Sequence, residues 1–446
     1  MVVSRDKAPT AQETFMQMAQ AAGLRGRLLV TLGLLMLARF GVFLPVPGID
    51  RARFSADLQN SPVIGFLDIF SGGGLSALGI FALGILPYIN ASIILQLLTA
   101  AIPSLENLQK NEGEAGRRKI SQMTRYVALG WAVVQGIGIA LWVQRYATTP
   151  GVLFIAETAL ALTAGSMFVM WLSELVTERG IGNGASLLIF VNIVAVLPKT
   201  LGQTIELAQT GGRETVGKVV ILLLVFLVMI VGIVFVQEGT RRIPIISARR
   251  QVGRRLYRER TSYLPLRLNQ GGVMPIIFAS AVLIIPASLA QFTAGNAGKG
   301  FLQPVNQALV QVQNYLNPNG PTPWVYVIAY LVLILFFSYF YASLIVNPVD
   351  MAQNLKKMGA SIPGIRPGRA TSEYVERVLN RLTFLGAIFL GLVAVVPTAV
   401  ESATGVTTFR GLGATSLLIL VGVAIDTAKQ IQTYVISQRY EGMVKQ

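Results

Sequence analysis

The sequence contains no cysteine and no histidine among its 446 residues. This excludes disulfides, thiol chemistry, zinc sites of the usual ligands and histidine general bases. A Ser, His and Asp triad cannot be assembled. Charge is also scarce: 13% of residues are Asp, Glu, Lys or Arg, against about 25% in soluble domains. No G-x-x-x-x-G-K-[ST] phosphate loop occurs, so nucleotide hydrolysis by that route is excluded. The glycine-rich "GIGNGAS" at Gly180–Ser186 lies between two apolar runs. It reads as a short turn that needs a flexible backbone. The first 27 residues carry Arg5, Lys7, Arg25 and Arg27 but no apolar core of signal-peptide type before Leu28, so nothing there points to cleavage.

Apolar residues are abundant. The chain is 53% hydrophobic, with a mean hydropathy of +0.60. Runs long enough for a spanning helix, about 18 residues or more, occur at 28–46, 75–98, 126–143, 152–176, 185–202, 219–236, 272–292, 324–346, 382–400 and 412–430. The expected fold is an all-α polytopic membrane protein with ten transmembrane helices. With the N-terminus in the cytoplasm, 28 of the 37 Lys and Arg fall on the cytoplasmic side and eight on the other, while Arg39 lies inside the first span. The positive-inside bias therefore places both termini in the cytoplasm. Carboxylates in the spans are few, with Glu157, Glu174 and Asp426 toward span ends. Ion-coupled transporters keep such groups near the midplane, which weakens the alternative reading as a secondary transporter of a small solute. No metal site and no cofactor is implied.

Two features need a further explanation. The loops 239–270 and 347–381 are long and basic, and the first contains "RRIPIISARRQVGRRLYRER", eight arginines in twenty residues. Such density suits a docking surface for acidic protein or RNA phosphate. Excess topology signal or contact with anionic lipid is the alternative. The second feature is "VIGFLDIF", Val63–Phe70, followed by Gly72, Gly73 and Gly74. It is too short to cross a bilayer and too apolar for an ordinary exposed loop. A helix packed permanently against the bundle would account for it as well as a movable element.

The stretches "FSGGGLSALGIFALGILPYINASIILQLL", "EGEAGRRKISQMTRY", "MWLSELVTERGIGNGAS" and "NPVDMAQNLKKMGASIPGIRPG" closely resemble the SecY family, channel subunits of the bacterial Sec protein-conducting translocon. The likeness runs from about Leu24 to Glu441. It implies two pseudo-symmetric five-helix halves, 28–210 and 211–436, closed like a clamshell around an hourglass pore. Cytoplasmic tails at 1–27 and 437–446 flank them. It also implies that Val63, Ile64, Phe66, Leu67, Ile69 and Phe70 form a short re-entrant plug helix hinged on Gly72–Gly74. The family's apolar pore ring falls on Ile85, Ile89, Ala185, Ile189, Ile277 and Ile419, with Ala185 departing from the usual large aliphatic.

The resemblance further implies a lateral gate between spans 2–3 and 7–8. Asn90 and Gln135 are expected to hydrogen-bond across it, and Pro87 and Pro275 to bend its helices. The SecA ATPase and the ribosome are expected at Arg241, Arg242, Arg249, Arg250, Arg254, Arg255, Arg258, Lys356, Lys357 and Arg366. Arg366 would be presented by a rigid turn between Pro363, Gly364, Pro367 and Gly368. SecE and SecG are the implied membrane companions, and unfolded preproteins with their signal sequences the implied substrates. No bond chemistry and no nucleic-acid sequence recognition is expected. The implied location is a bacterial cytoplasmic membrane, or a thylakoid membrane if the source is photosynthetic.

Overall fold

The computed structural model describes residues 22–50, 71–247, 250–252, 255–257, 261–294, 323–404 and 414–444, with Phe54 and a few positions between 307 and 315. The helices are α1 (Ala22–Phe43), α2 (Leu86–Ala101), α3 (Pro103–Asn111), α4 (Gly113–Val143), α5 (Val152–Arg179) and α6 (Gly184–Thr210). They continue with α7 (Gly212–Glu238), α8 (Met274–Ala294), α9 (Pro323–Ile345), α10 (Pro348–Lys357), α11 (Arg369–Thr404) and α12 (Ala414–Val444). Every expected span overlaps a helix, the second only from Leu86 onward. Seven helices among the described residues are long and apolar enough to cross a membrane, or eight if the bent pair α2 and α3 is one span. α8 and α12 occupy the remaining two positions.

The second span departs from expectation. Its helix begins only at Leu86, and residues 71–85 fold as a chain of turns. Gly72, Gly73 and Gly84 take positive φ, and Leu78 joins them at φ 44°. Such a backbone cannot continue a right-handed helix. Two hydrogen bonds stitch this segment to the end of α1, from Val46 N to Leu78 O (3.0 Å) and from Ile80 N to Leu44 O (2.8 Å). At its far end α2 turns through 106° into α3, where Pro103 starts the new helix because its missing N–H costs nothing in a first turn.

Pro87 and Pro275 do not bend the gate helices. They lie in the first turns of α2 and α8, where no i−4 carbonyl waits for the absent donor. The prolines inside helices are Pro198 in α6, Pro286 in α8 and Pro397 in α11.

The basic loops are built structures, which the all-helical reading did not anticipate. β1 (Thr240–Ser247) pairs antiparallel with β4 (Thr261–Arg267), and β5 (Ala360–Ser361) pairs with the end of β1. β2 (Arg250–Val252) and β3 (Arg255–Tyr257) form a second antiparallel pair between them. In β1, Arg242 and Pro244 face out while Ile243 and Ile245 are buried; that period of two is a strand's. Ile243 and Leu266 pack with Ile362, Val375, Val378, Leu379 and Leu382, so the hairpin rests on the extension of α11.

α1, α2, α4 and α5 pack mainly among themselves, as do α7, α8, α9, α11 and α12, while α6 packs against both groups. Contacts of α6 with α7 and α12, and of α4 with α8, join the two groups. The turn segment is held against α5, where Ser166 Oγ donates to Gly84 O (3.0 Å). Next to it, a Cβ on Gly165 would overlap the Ile80 carbonyl oxygen. A backbone carbonyl cannot rotate away, so Gly165→Leu should destabilise the fold by about 1–3 kcal/mol, the usual cost of overpacking. Gly130, with open space where its Cβ would stand, should accept Ala without loss. Thermal unfolding of the detergent-solubilised variants checks both, and equal midpoints would contradict this packing.

Candidate functional site

Four helices bring the expected ring residues together. Ile85 is the N-cap residue of α2 and Ile89 follows one turn on. Ala185 and Ile189 lie in the first turns of α6, Ile277 in the first turn of α8, and Ile419 in the second turn of α12. Ile85, Ile89, Ile189, Ile277 and Ile419 are buried members of one apolar cluster, and the smaller Ala185 packs against it from a partly exposed position. The departure at 185 therefore leaves room on the side that opens into a cavity.

Local capping sets this geometry. Asn183 Oδ1 accepts from Ala185 N (3.0 Å) and Ser186 N (3.3 Å), satisfying two of the otherwise orphaned donors of α6. Gly184 N donates to Thr177 Oγ1 (2.9 Å), and a Cβ at Gly184 would overlap Ser173 O. "GIGNGAS" is thus a turn, as its glycines suggest, with a cap in its centre that composition alone did not reveal. Before α8, Asn269 Nδ2 donates to Gly272 O (2.7 Å) and closes the turn that leads to Ile277.

Two cavities open beside the ring on the side that bears β1, β4 and α10. The first, of about 390 Å³, is lined by Ile89, Ala185, Ile189 and Ile277 below, and by Gln96, Arg125, Glu174 and Glu178 above. The second, of about 740 Å³, shares Asn183, Ser186, Met274 and Ile277 with the first and reaches Ile419, Arg267, Asp426 and Lys429. Together they make a funnel with an apolar floor and a rim of mixed charge. Some of the rim charges are ion-paired. Arg125 Nε meets Glu174 Oε1 at 2.8 Å and Lys429 Nζ meets Glu238 Oε1 at 2.8 Å. The floor presents no ionisable group among the described residues lining it.

On the opposite face of the ring lies the turn segment. Gly72 and Gly73 have φ of 66° and 87°, a left-handed backbone that suits glycine. Gly74 does not share it; a Cβ there would stand 3.1 Å from Ser71 O. Arg39 Nη1 donates to Gly72 O (2.7 Å), and a Cβ on Gly72 would lie 2.6 Å from Asn192 Oδ1, three residues beyond Ile189 on α6. The plug residues Val63, Ile64, Phe66, Leu67, Ile69 and Phe70 lie outside the described residues.

The remaining expected residues are dispersed. Asn90 is half-buried on α2. Gln135 Oε1 on α4 is buried without a hydrogen-bond partner, so the interhelical bond expected of Gln135 is not made through that oxygen. Arg241, Arg242, Lys356, Lys357 and Arg366 are exposed on one face. Arg250 and Arg255 lie in β2 and β3, while Arg249, Arg254 and Arg258 lie outside the described residues. Thr371 Oγ1 donates to Arg366 O (2.9 Å), and Gly364 and Gly368 take φ of 77° and 110°. Arg366 therefore projects from a pinned turn. Thr371, Asn183 and Asn192 were not singled out from sequence. A polar residue at a helix start was the available signal for the first two, and none marked Asn192.

An apolar waist in a helical bundle, beneath a funnel with a rim of mixed charge, defines a channel-type membrane protein. The family model described as SecY matches residues 79–428. The protein translocase subunit SecY of Synechococcus elongatus is 75% identical over 100% of both chains. The chain belongs to the SecY family and is a protein-conducting channel subunit. Its fold is similar to a solved structure of a protein-conducting channel, with a TM-score of 0.64, 17% identity and coverage of 96% of this chain and 94% of that one. It is also similar to Sec61 in the canine ribosome–channel complex from the endoplasmic reticulum, with a TM-score of 0.61, 16% identity and the same coverage.

Because Asn183 caps α6 where that helix meets the funnel, Asn183→Ala should lower stability by about 1 kcal/mol, the usual cost of a lost cap. Asn183→Asp should retain most of it. Thermal midpoints of the two variants decide this, and an unchanged Asn183→Ala would remove the cap from the account.

Proposed function

We propose that the protein passes unfolded preproteins across a membrane through the ring of Ile85, Ile89, Ala185, Ile189, Ile277 and Ile419. The proposal is supported by Ile89, Ala185, Ile189, Ile277 and Ile419, from four helices, lining the two cavities, with Ile85 in the same apolar cluster. An apolar collar of this kind dewets when narrow and blocks ions without binding any passing side chain tightly. The two packing groups of helices support a division into halves 28–210 and 211–436. The seam between α2 and α4 on one side and α8 and α9 on the other is the route for apolar segments into lipid. Residues 63–70 plug the outer face, hinged at Gly72 and Gly73.

The orientation has both termini in the cytoplasm of a bacterial cell, in its cytoplasmic or thylakoid membrane, supported by the uneven spread of Lys and Arg. SecE and SecG accompany the chain in the membrane. SecA or the ribosome docks on the face carrying Arg241, Arg242, Lys356, Lys357 and Arg366 and supplies the driving force. Support for this comes from their exposure and from the likeness to a ribosome-bound channel.

Two experiments test the reading. Ile89→Ser with Ile419→Ser removes apolar side chains worth about 2 kcal/mol each in burial. The double variant should raise the ion conductance of the resting channel several-fold and increase export of a preprotein with a defective signal. Wild-type conductance and export would place these residues elsewhere. Arg366→Glu should abolish SecA-driven translocation while the complex still assembles, and Arg366→Lys should be impaired because a lysine lacks the planar fork of donors. Arg369→Lys, three residues on, should be nearly silent. Normal translocation ATPase with Arg366→Glu would return that arginine to the topology signal.

A further inference from the structure

α6 carries a joint at each of its ends. At one end the chain passes into α7 through Gly211, whose N–H closes α6 on Leu207 O (2.9 Å), and Gly212 turns the backbone at φ 74°. At the other end, about 40 Å away along 27 residues of helix, the start of α1, the turn before α6 and the last turns of α12 meet. Leu24, Ile181 and Val435 are buried together there, with Leu28, Ile431 and Tyr434 packed against them. Two kinds of contact hold this cluster. α1 is tied to the turn by directional bonds: Thr31 Oγ1 accepts from Ile181 N (3.0 Å) and donates to Arg27 O (2.8 Å), and a Cβ on Gly180 would overlap that hydroxyl. α12 rests on the pair through apolar contact and through the Arg27 guanidinium, 5.1 Å from the centre of the Tyr434 ring. Tyr434 also lines the second cavity, so the cluster stands behind the funnel wall.

We propose that this cluster is a pivot, the second of two joints about which the two packing groups of helices turn along the line of α6. The proposal rests on the channel reading above, because passage of a polypeptide requires the groups to separate. Two joints at opposite ends of one helix leave a single easy motion, rotation about the line between them. The covalent joint turns because its glycines are conformationally free. The cluster turns for a different reason. Burial of apolar area has no preferred angle, and a cation–π contact holds anywhere within about 6 Å of the ring centre. Short hydrogen bonds at the same place would resist the rotation, since they weaken steeply with angle. Leu24, Arg27, Tyr434 and Val435 thus act as positioning residues. They keep α12 against α1 while helices far from α6 move apart.

The test uses the complex assembled with its membrane partners and driven by SecA, with each rate divided by the amount of assembled complex. Tyr434→Phe keeps the ring and should translocate at the wild-type rate. Tyr434→Ala should be about fivefold slower, the loss of one cation–π contact. The paired variant Arg27→Cys with Tyr434→Cys, in a naturally cysteine-free chain, separates a pivot from a latch. Without a crosslink it should be slowed like Tyr434→Ala. Joined by a short flexible bis-methanethiosulfonate it should recover most of the wild-type rate, because a pivot need not part. A docking contact of either side chain with SecA would not be restored in this way. Spin labels at Arg25→Cys and Ser437→Cys, exposed positions on α1 and α12, give a second readout. Their distance should hold when a preprotein is stalled in the channel, while that between Tyr126→Cys on α4 and Leu344→Cys on α9, both exposed, should lengthen. A crosslink that blocks translocation overturns the pivot, as does a wild-type rate in Tyr434→Ala or a longer Arg25–Ser437 distance with the stalled chain. If Tyr434→Ala broadens the Arg25–Ser437 distribution while the wild-type complex moves no preprotein, the joint stands and the channel reading fails.

Discussion

Within a bilayer every backbone polar group must find its partner inside the protein, because no water reaches it there. A regular helix meets that demand automatically. Residues 71–85 do not form one, and the surrounding structure is arranged around their needs. Part of the segment bonds to itself, as with Ala77 N to Gly73 O (3.0 Å) and Gly79 N to Gly74 O (2.9 Å). The rest borrows donors and acceptors from α1, α5 and the chain beyond α1, through Ile80, Val46, Ser166 and Arg39. Gly79 and Gly165 permit these approaches by lacking a side chain. Arg39 is otherwise a costly charge inside a span; here its guanidinium supplies a donor where the backbone offers none.

This irregular segment delivers the chain to the ring. Because the helix of the second span starts at Leu86, Ile85 and Ile89 stand at the start of a helix in the middle of the bundle. α6, α8 and α12 likewise bring their isoleucines from early turns. Helix starts need caps: Asn183 provides one for α6 on the funnel side, and the Asn269 side chain closes the turn before α8. The polar rim is thus partly a by-product of ending helices near the middle of the molecule. Its ion pairs at Arg125–Glu174 and Lys429–Glu238 offset part of the rim charge, and Glu178, Arg267 and Asp426 also line the cavities.

Much of this was legible in the sequence. Hydropathy placed an apolar run over each long helix of the bundle because length and apolarity are imposed by the bilayer. The ring was legible only through the family resemblance, since an isoleucine at position 89 or 419 has no property that separates pore from core. The start of α2 was misjudged for a physical reason. "GGGLSALGIFALGI" is as apolar as a helix, and hydropathy is blind to the positive φ that Gly72, Gly73 and Gly84 adopt. Pro87 and Pro275 were read as kinks, although a proline two residues into a helix is a start signal. The hairpin of β1 and β4 was masked by its arginines, yet the alternation of Ile243 and Ile245 with outward residues was present in the sequence. Leu24, Ile181 and Val435 lie far apart in the chain, and only the fold brings them together.

The two kinds of interaction divide the labour of a channel. Directional bonds hold the frame: capped helix starts, the stitched turns of residues 71–85, the hairpin on α11. Directional bonds break at small displacements, so the frame resists deformation. The ring is held by apolar contact alone, which falls off smoothly with area and has no preferred angle. On the proposed reading, its isoleucines part around a polypeptide of any side-chain chemistry and close again without a specific partner to lose. A polar ring would bind some residues and stall them, and a rigid one would admit only one width.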